Sequence, residues 1–194
     1  QGTEKAKLDD QPIRVLLIAG NEAHKWHNWE KTTPVIKAQL ELDPRVKVTV
    51  STDPETALAK LIQVNDVVLL NSYANWQDPK GLSPMAKQEF MDFLQDGGGL
   101  VIVHFANGAW NFSLPMAGES DWPEYRKIVR RVWNHHGKGE AQSGHDAFGP
   151  FEVAMTETRH EITAGLARFP VVDELYFKQD GADPIEPLIK AHSK

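Results

Sequence analysis

GGGLVIVHFANGAW, residues 97–110, is the stretch whose reading decides the fold. Glycines lead into the apolar run 100–103, which is followed by His104 and then by Asn107 and Gly108. A short continuous apolar run bounded by turn residues reads as a strand buried on both faces. The glycines close a helix: SPMAKQEFMDFLQDGGG, residues 83–99, opens on a Ser83-Pro84 cap signal and carries apolar residues at helical spacing. The same pattern repeats upstream. IRVLLIAG (13–20), VKVTVST (46–52) and DVVLLNSY (66–73) read as strands. TTPVIKAQLEL, with Thr33 as cap and Pro34 in its first turn, and PETALAKLIQ read as helices. Strands alternating with helices predict an α/β fold with a mainly parallel central sheet covered on both faces. Such folds bind ligands at the carboxyl ends of strands, near the point where strand order reverses. That rule selects the loop after Gly20, the Asn71-Ser72-Tyr73 corner, and His104 with its successors.

The second half is less regular. WPEYRKIVRRVW (122–133) reads as a helix, and GPFEVAM, VVDELYF and PIEPLIKA read as strands. Between them NHHGKGEAQSGHDAFG (134–149) is a polar, glycine-rich loop carrying His135, His136 and His145, expected to close over the ligand edge. No repeat or long linker interrupts the chain, so residues 13–194 are expected to be a single domain, preceded by an extended or disordered segment 1–12.

A chain of 194 residues with 41 % hydrophobic and 25 % charged residues suits a globular domain with a real core. The net charge of −6 argues against a nucleic-acid partner. No apolar run is long enough to cross a bilayer. The absence of cysteine removes thiolate nucleophiles and sulfur-ligated zinc, so a metal site would have to use His, Asp or Glu. The polar start QGTEKAKLDD and the lack of cysteine lean towards export to a periplasm or beyond, with the cytoplasm as the alternative.

The eight histidines are unevenly spread. His24 and His27 follow the first strand, and His104 ends the fourth. Imidazole serves either as a proton shuttle near neutral pH or as a metal ligand. His27, His104 and His145 are the candidate ligands of a divalent metal such as zinc, with Asp146 or Glu174 adding a carboxylate. The alternative is that the loop histidines are solvated and His104 is a buried, hydrogen-bonded residue. Most of the six tryptophans, Trp29 and Trp110 among them, fall at the predicted ligand edge, where flat rings suit sugars; at least half are expected to be packing residues. Asn71, Ser72 and Asn107 offer hydrogen-bonding groups there. Ser72 and Ser143 lie in no G-x-S-x-G elbow, which disfavours a serine hydrolase.

Several segments in one order resemble the ThuA-like (trehalose utilisation) family. They are HNWEKTTP (27–34), GGGLVIVHFA (97–106), GHDAFGPFEVAMTETRHEITAGL (144–166, with Glu161 where proline is usual) and VVDELYF (171–177). The resemblance implies a three-layer, flavodoxin-like fold similar to class I glutamine amidotransferases. It places His104 near the elbow where those enzymes carry a cysteine, and a chain without cysteine cannot run their thiol mechanism. Relatives continue further, so a chain stopping at IKAHSK is expected either to be C-terminally truncated or to lack those elements. The resemblance carries His27, Trp29, His104, His145, Asp146 and Glu174 over as site residues. It implies action on a small-molecule carbohydrate, such as a 3-keto glycoside or disaccharide. His104, His27 and Glu174 would supply acid–base chemistry, with or without a divalent metal, as a lyase, hydrolase or isomerase. Two alternatives stand beside it: a non-catalytic sugar-binding accessory protein, and a metal-dependent hydrolase of another small molecule. A homo-oligomer is compatible with either.

Overall fold

The computed structural model describes residues 11–20, 27–76, 80–115, 117–135 and 142–193. The chain divides into two compact units, one ending at Trp122 and the other starting at Pro123.

The first unit is built on β1 (Ile13–Ile18), β2 (Val46–Ser51), β3 (Val67–Asn71) and β4 (Gly99–Val103). They form a wholly parallel sheet in the order β2-β1-β3-β4. The chain runs outward from β1 to β2, then returns to the other side of β1 for β3. This is the doubly wound, flavodoxin-like order, and its reversal lies between β1 and β3. Leu16, Leu17 and Ile18 of β1 and Val68 and Leu70 of β3 are 0–1 % exposed. Each such side chain contributes about 1.5–3 kcal/mol by leaving water. That is why the central strands read as unbroken apolar runs. β4 is the edge of the described sheet, and Val101 on it is exposed.

Helix α1 spans Trp29–Leu40, starting earlier than the sequence suggested. Its cap is Asn28, whose side chain accepts from the Lys31 amide at 3.1 Å, and Thr33 and Pro34 lie inside the helix. Pro34 removes one backbone bond to Glu30, but Glu30 is exposed and water can satisfy its carbonyl. Thr33 is buried because it faces the end of β3. The next segment begins as α2 (Pro54–Thr56), capped by Asp53, and continues as a π turn (Ala57–Leu61) and a 3-10 turn (Ile62–Val64) rather than as one helix. Helix α3 spans Pro84–Gln95 with Ser83 as its cap, as read from sequence.

The three glycines after α3 have separate jobs. Gly97 takes the left-handed conformation, φ +94°. Its amide reaches the Leu94 carbonyl at 3.2 Å, and the Gly98 amide reaches the Phe93 carbonyl at 2.9 Å. That pair of bonds is a Schellman stop. A Cβ on Gly98 would collide with the Phe93 ring, and Gly99 opens β4 against Val67.

In the second unit the predicted helix shortens to α4 (Pro123–Val129), ended by Arg130 at φ +63°. Strand β5 (Gly144–His145) pairs antiparallel with β8 (Tyr176–Phe177). Strand β6 (Gly149–Met155) lies between β7 (Phe169–Asp173) and β9 (Ile189–Lys190). The expected single strand 171–177 is therefore broken at Glu174-Leu175. The Asp173 carboxylate accepts from the Glu174 amide at 2.8 Å and turns the chain out of the ladder there. Of the expected strand from PIEPLIKA, only the short β9 forms.

Candidate functional site

At the carboxyl edge of the parallel sheet β3 and β4 stop together. Asn71 and Val103 are register partners, and the residue after each turns into the left-handed region: Ser72 at φ +50° and His104 at φ +53°. The Ser72 amide donates to the Val103 carbonyl at 3.1 Å, so the two turns share a hydrogen bond. The expected strand ending in His104 thus stops one residue earlier, and His104 opens a 3-10 turn, His104–Gly108. Neither position is glycine, so each holds strain of roughly 1–2 kcal/mol. Adjacent strained residues at the ligand edge of an α/β sheet point to function more strongly than either residue type alone.

A pocket of about 520 Å³ opens at this edge, a volume typical of small-molecule sites. Its polar walls are His27, Asn28, Lys31, Thr32, Asn71, Ser72 and His104. Asn71, 1 % exposed, anchors the floor: its Nδ2 donates to Thr32 Oγ1 at 3.0 Å and to Thr33 Oγ1 at 2.9 Å. These bonds tie β3 to the first turns of α1 and explain the paired threonines of HNWEKTTP. His104 is exposed, and its ring lies 4.9 Å from that of His27, centroid to centroid. His27 also stacks on Phe105 at 4.7 Å with planes 15° apart. The structure therefore brings together His27, His104, Asn71 and Ser72. Asn107 follows in the same turn, half-buried.

The tryptophans divide differently from the expectation. Trp29 packs on the core under β1, against the cluster of Val15, Leu17 and Leu69, and does not line the pocket. Trp110 is 1 % exposed; its ring lies 5.1 Å from Tyr73 and 5.7 Å from Trp122, and its amide donates to Asn75 Oδ1 at 2.7 Å. A ring so enclosed is a packing residue, which corrects its assignment to sugar stacking. Trp76 is half-buried, its ring 5.5 Å from that of Phe105. His24, Trp26, His136 and the tip of the glycine-rich loop lie outside the described residues.

The remaining candidates sit in the second unit. The β5–β8 pairing sets His145 opposite Tyr176, joining the G-H-D and D-E-L-Y segments. His145 Nδ1 lies 2.9 Å from the Asp146 carbonyl oxygen and 3.5 Å from Glu174 Oε1. The Tyr176 hydroxyl donates to Glu174 Oε2 at 3.0 Å. Burial, together with the neighbouring Glu174 carboxylate, pushes the Tyr176 phenol up to about 12. Asp146 Oδ1 accepts from Ser193 at 2.9 Å. Sequence reasoning missed Tyr176; its only signal is its place two residues after Glu174. Ser143 is a structural residue: 4 % exposed, it accepts from the Asn134 amide at 2.9 Å and donates to the Lys178 carbonyl at 2.8 Å. Among the described residues no three His, Asp or Glu side chains gather as a metal-binding group. No described helix is long and apolar enough to cross a membrane.

A family model described as ThuA, trehalose utilisation, matches residues 14–194. No curated protein matches the chain. Among solved structures, one described as a ThuA-like protein from Bacteroides uniformis ATCC 8492 has a TM-score of 0.62 at 16 % identity. The alignment covers 86 % of this chain and 61 % of that one, a likeness of fold.

Proposed function

This chain belongs to the ThuA family of trehalose utilisation, and from that premise we propose that it processes an oxidised carbohydrate, a 3-keto glycoside or disaccharide, in the pocket of His27 and His104. The observation that carries the reading is the exposed His104, held at φ +53° on the ligand edge with a second imidazole 4.9 Å away. A ketone acidifies the neighbouring C–H. His104 takes that proton, and the C–H electron pair forms an enolate that collapses by expelling the glycosidic oxygen. His27, stacked on Phe105, is oriented to donate a proton or hydrogen bond to developing charge. Asn71 and Ser72 supply the polar floor.

The test is incubation with 3-keto-trehalose and a 3-keto-glucoside, following product by chromatography. The expected result is turnover that falls by about 100-fold or more in H104N and H27N, the usual contribution of a general base. Binding without turnover would favour the sugar-binding accessory reading. Neither binding nor turnover would overturn both.

A further inference from the structure

We propose that Lys31 recognises an anionic substituent in the first unit's pocket, so that the carbohydrate taken there is an acidic sugar, one carrying a carboxylate or a phosphate. The proposal rests on the carbohydrate reading above and narrows its substrate class. Two walls make the pocket. One is the pair of strand ends that carry Ser72 and His104. The other is a face of α1, on which Lys31 lies one turn beyond the Asn28 cap and one turn before Val35. The histidines and strand ends have roles in the reading above, and Lys31 has none.

Nothing in the fold uses the Lys31 charge. Its amide is committed to the Asn28 side chain and carbonyl, both at 3.1 Å, which fixes the backbone from which the side chain departs. The ammonium makes no hydrogen bond or ion pair with a described residue. Lys37, the other lysine of α1, is occupied: its Nζ donates to the Val48 carbonyl at 2.8 Å and lies 3.6 Å from Glu41. The helix does not gain from Lys31 either. A first turn favours carboxylates and disfavours cations, because its exposed N–H groups carry positive partial charge. A cation is therefore kept at this position against the helix dipole.

The pocket's other groups leave an anion to Lys31. The chain carries 27 acidic residues against 21 basic ones, yet no described Asp or Glu lines the pocket. Both hydrogens of Asn71 Nδ2 are spent on Thr32 and Thr33, so that amide has no donor to spare. An ammonium offers three donors and imposes no planar fork, which suits a carboxylate and a tetrahedral phosphate alike. A neutral hydroxyl would meet the same donors without the Coulomb attraction. A volume of about 520 Å³ has room for a sugar bearing such a group.

Calorimetric titration of the full chain with methyl β-D-glucuronide, glucose 6-phosphate and methyl β-D-glucoside tests this. At least one acidic sugar should bind about 10-fold or more tightly than the neutral glucoside, as expected for one charge-assisted hydrogen bond at an exposed cation. The tighter of the two identifies carboxylate or phosphate as the source. K31Q should abolish the preference, K31E should reverse it, K31R should keep it, and added sodium chloride should erode it. Lys31 is exposed, so the variants should keep the native circular dichroism and Tm. Equal binding of the three sugars, or an acidic preference that survives K31Q, overturns the proposal and leaves the carbohydrate reading standing. Inorganic phosphate or acetate bound as tightly as the acidic sugars, and lost in K31Q, overturns the acidic-sugar assignment and the carbohydrate reading together. No binding of any probe overturns both as well.

Discussion

Replacing His104 with glycine separates a functional residue from one that only fills space. His104 sits at φ +53°, a conformation that costs a residue with a Cβ roughly 1–2 kcal/mol and costs glycine almost nothing. Against that gain stand two losses. The ring contact with His27 at 4.9 Å is worth about 0.5–1 kcal/mol, and glycine adds roughly 0.5 kcal/mol of unfolded-chain entropy. Little burial is lost, because His104 is exposed. The sum runs from about 0.5 kcal/mol less stable to about 1 kcal/mol more stable than the native chain, the upper end equivalent to a Tm rise of up to about 4 °C for a chain of this size. Urea unfolding at matched slopes measures it, alongside sugar turnover. Equal or higher stability with lost turnover marks a site where strain is kept for chemistry. A loss of more than about 1 kcal/mol would refute the reasoning, because His104 would then be held by packing rather than against a backbone preference.

Two other perturbations probe the frame around the site. N71A should destabilise by about 2–3 kcal/mol, from two hydrogen bonds lost and a buried Thr33 hydroxyl left without its donor, and N71A/T33V should be non-additive by about 1 kcal/mol in a denaturation cycle. Asp66 takes hydrogen bonds from Arg14 N at 2.7 Å, Nη2 at 2.9 Å and Nε at 3.1 Å, and the guanidinium contact above all lowers its carboxyl below the ordinary 3.8. A lowered carboxyl contributes stability above its unfolded value and loses it as pH falls through its folded value. D66N should therefore lower Tm by about 2 °C at pH 7, a small effect because solvent screens the pair, and the difference should vanish in acid as thermal scans descend below pH 3.8.

Much of the first unit was legible because its signals are local. The runs 13–20 and 66–73 are apolar on both faces, since β1 and β3 are covered on both, whereas the run 100–103, read as buried on both faces, forms the edge strand β4 with Val101 exposed; Ser83 and Gly97 mark the limits of α3 through their own backbone preferences. The rule that ligands sit at strand ends led to Asn71, Ser72 and His104 before any geometry was known. The start of α1 was misread for an equally physical reason. Pro34 is a strong local signal for a first turn, but Thr32 and Thr33 are needed further into the helix to receive Asn71, a residue distant in sequence. Trp110 shows the same limit: an indole reads alike whether it stacks on a ligand or packs on Tyr73 and Trp122.

By itself, then, the order of residues determined the alternation of strands and helices, the parallel sheet and the strand ends that carry Asn71, Ser72 and His104, because periodicity, caps and glycine stops act within a few residues. Only the tertiary structure decided which strand ends break in step, that His104 is strained and beside His27, and that Glu174 is clamped by Tyr176 against His145. Those are outcomes of register and of contacts between segments far apart in the chain. A shift of one residue in a strand pairing would change each of them while leaving every local pattern intact.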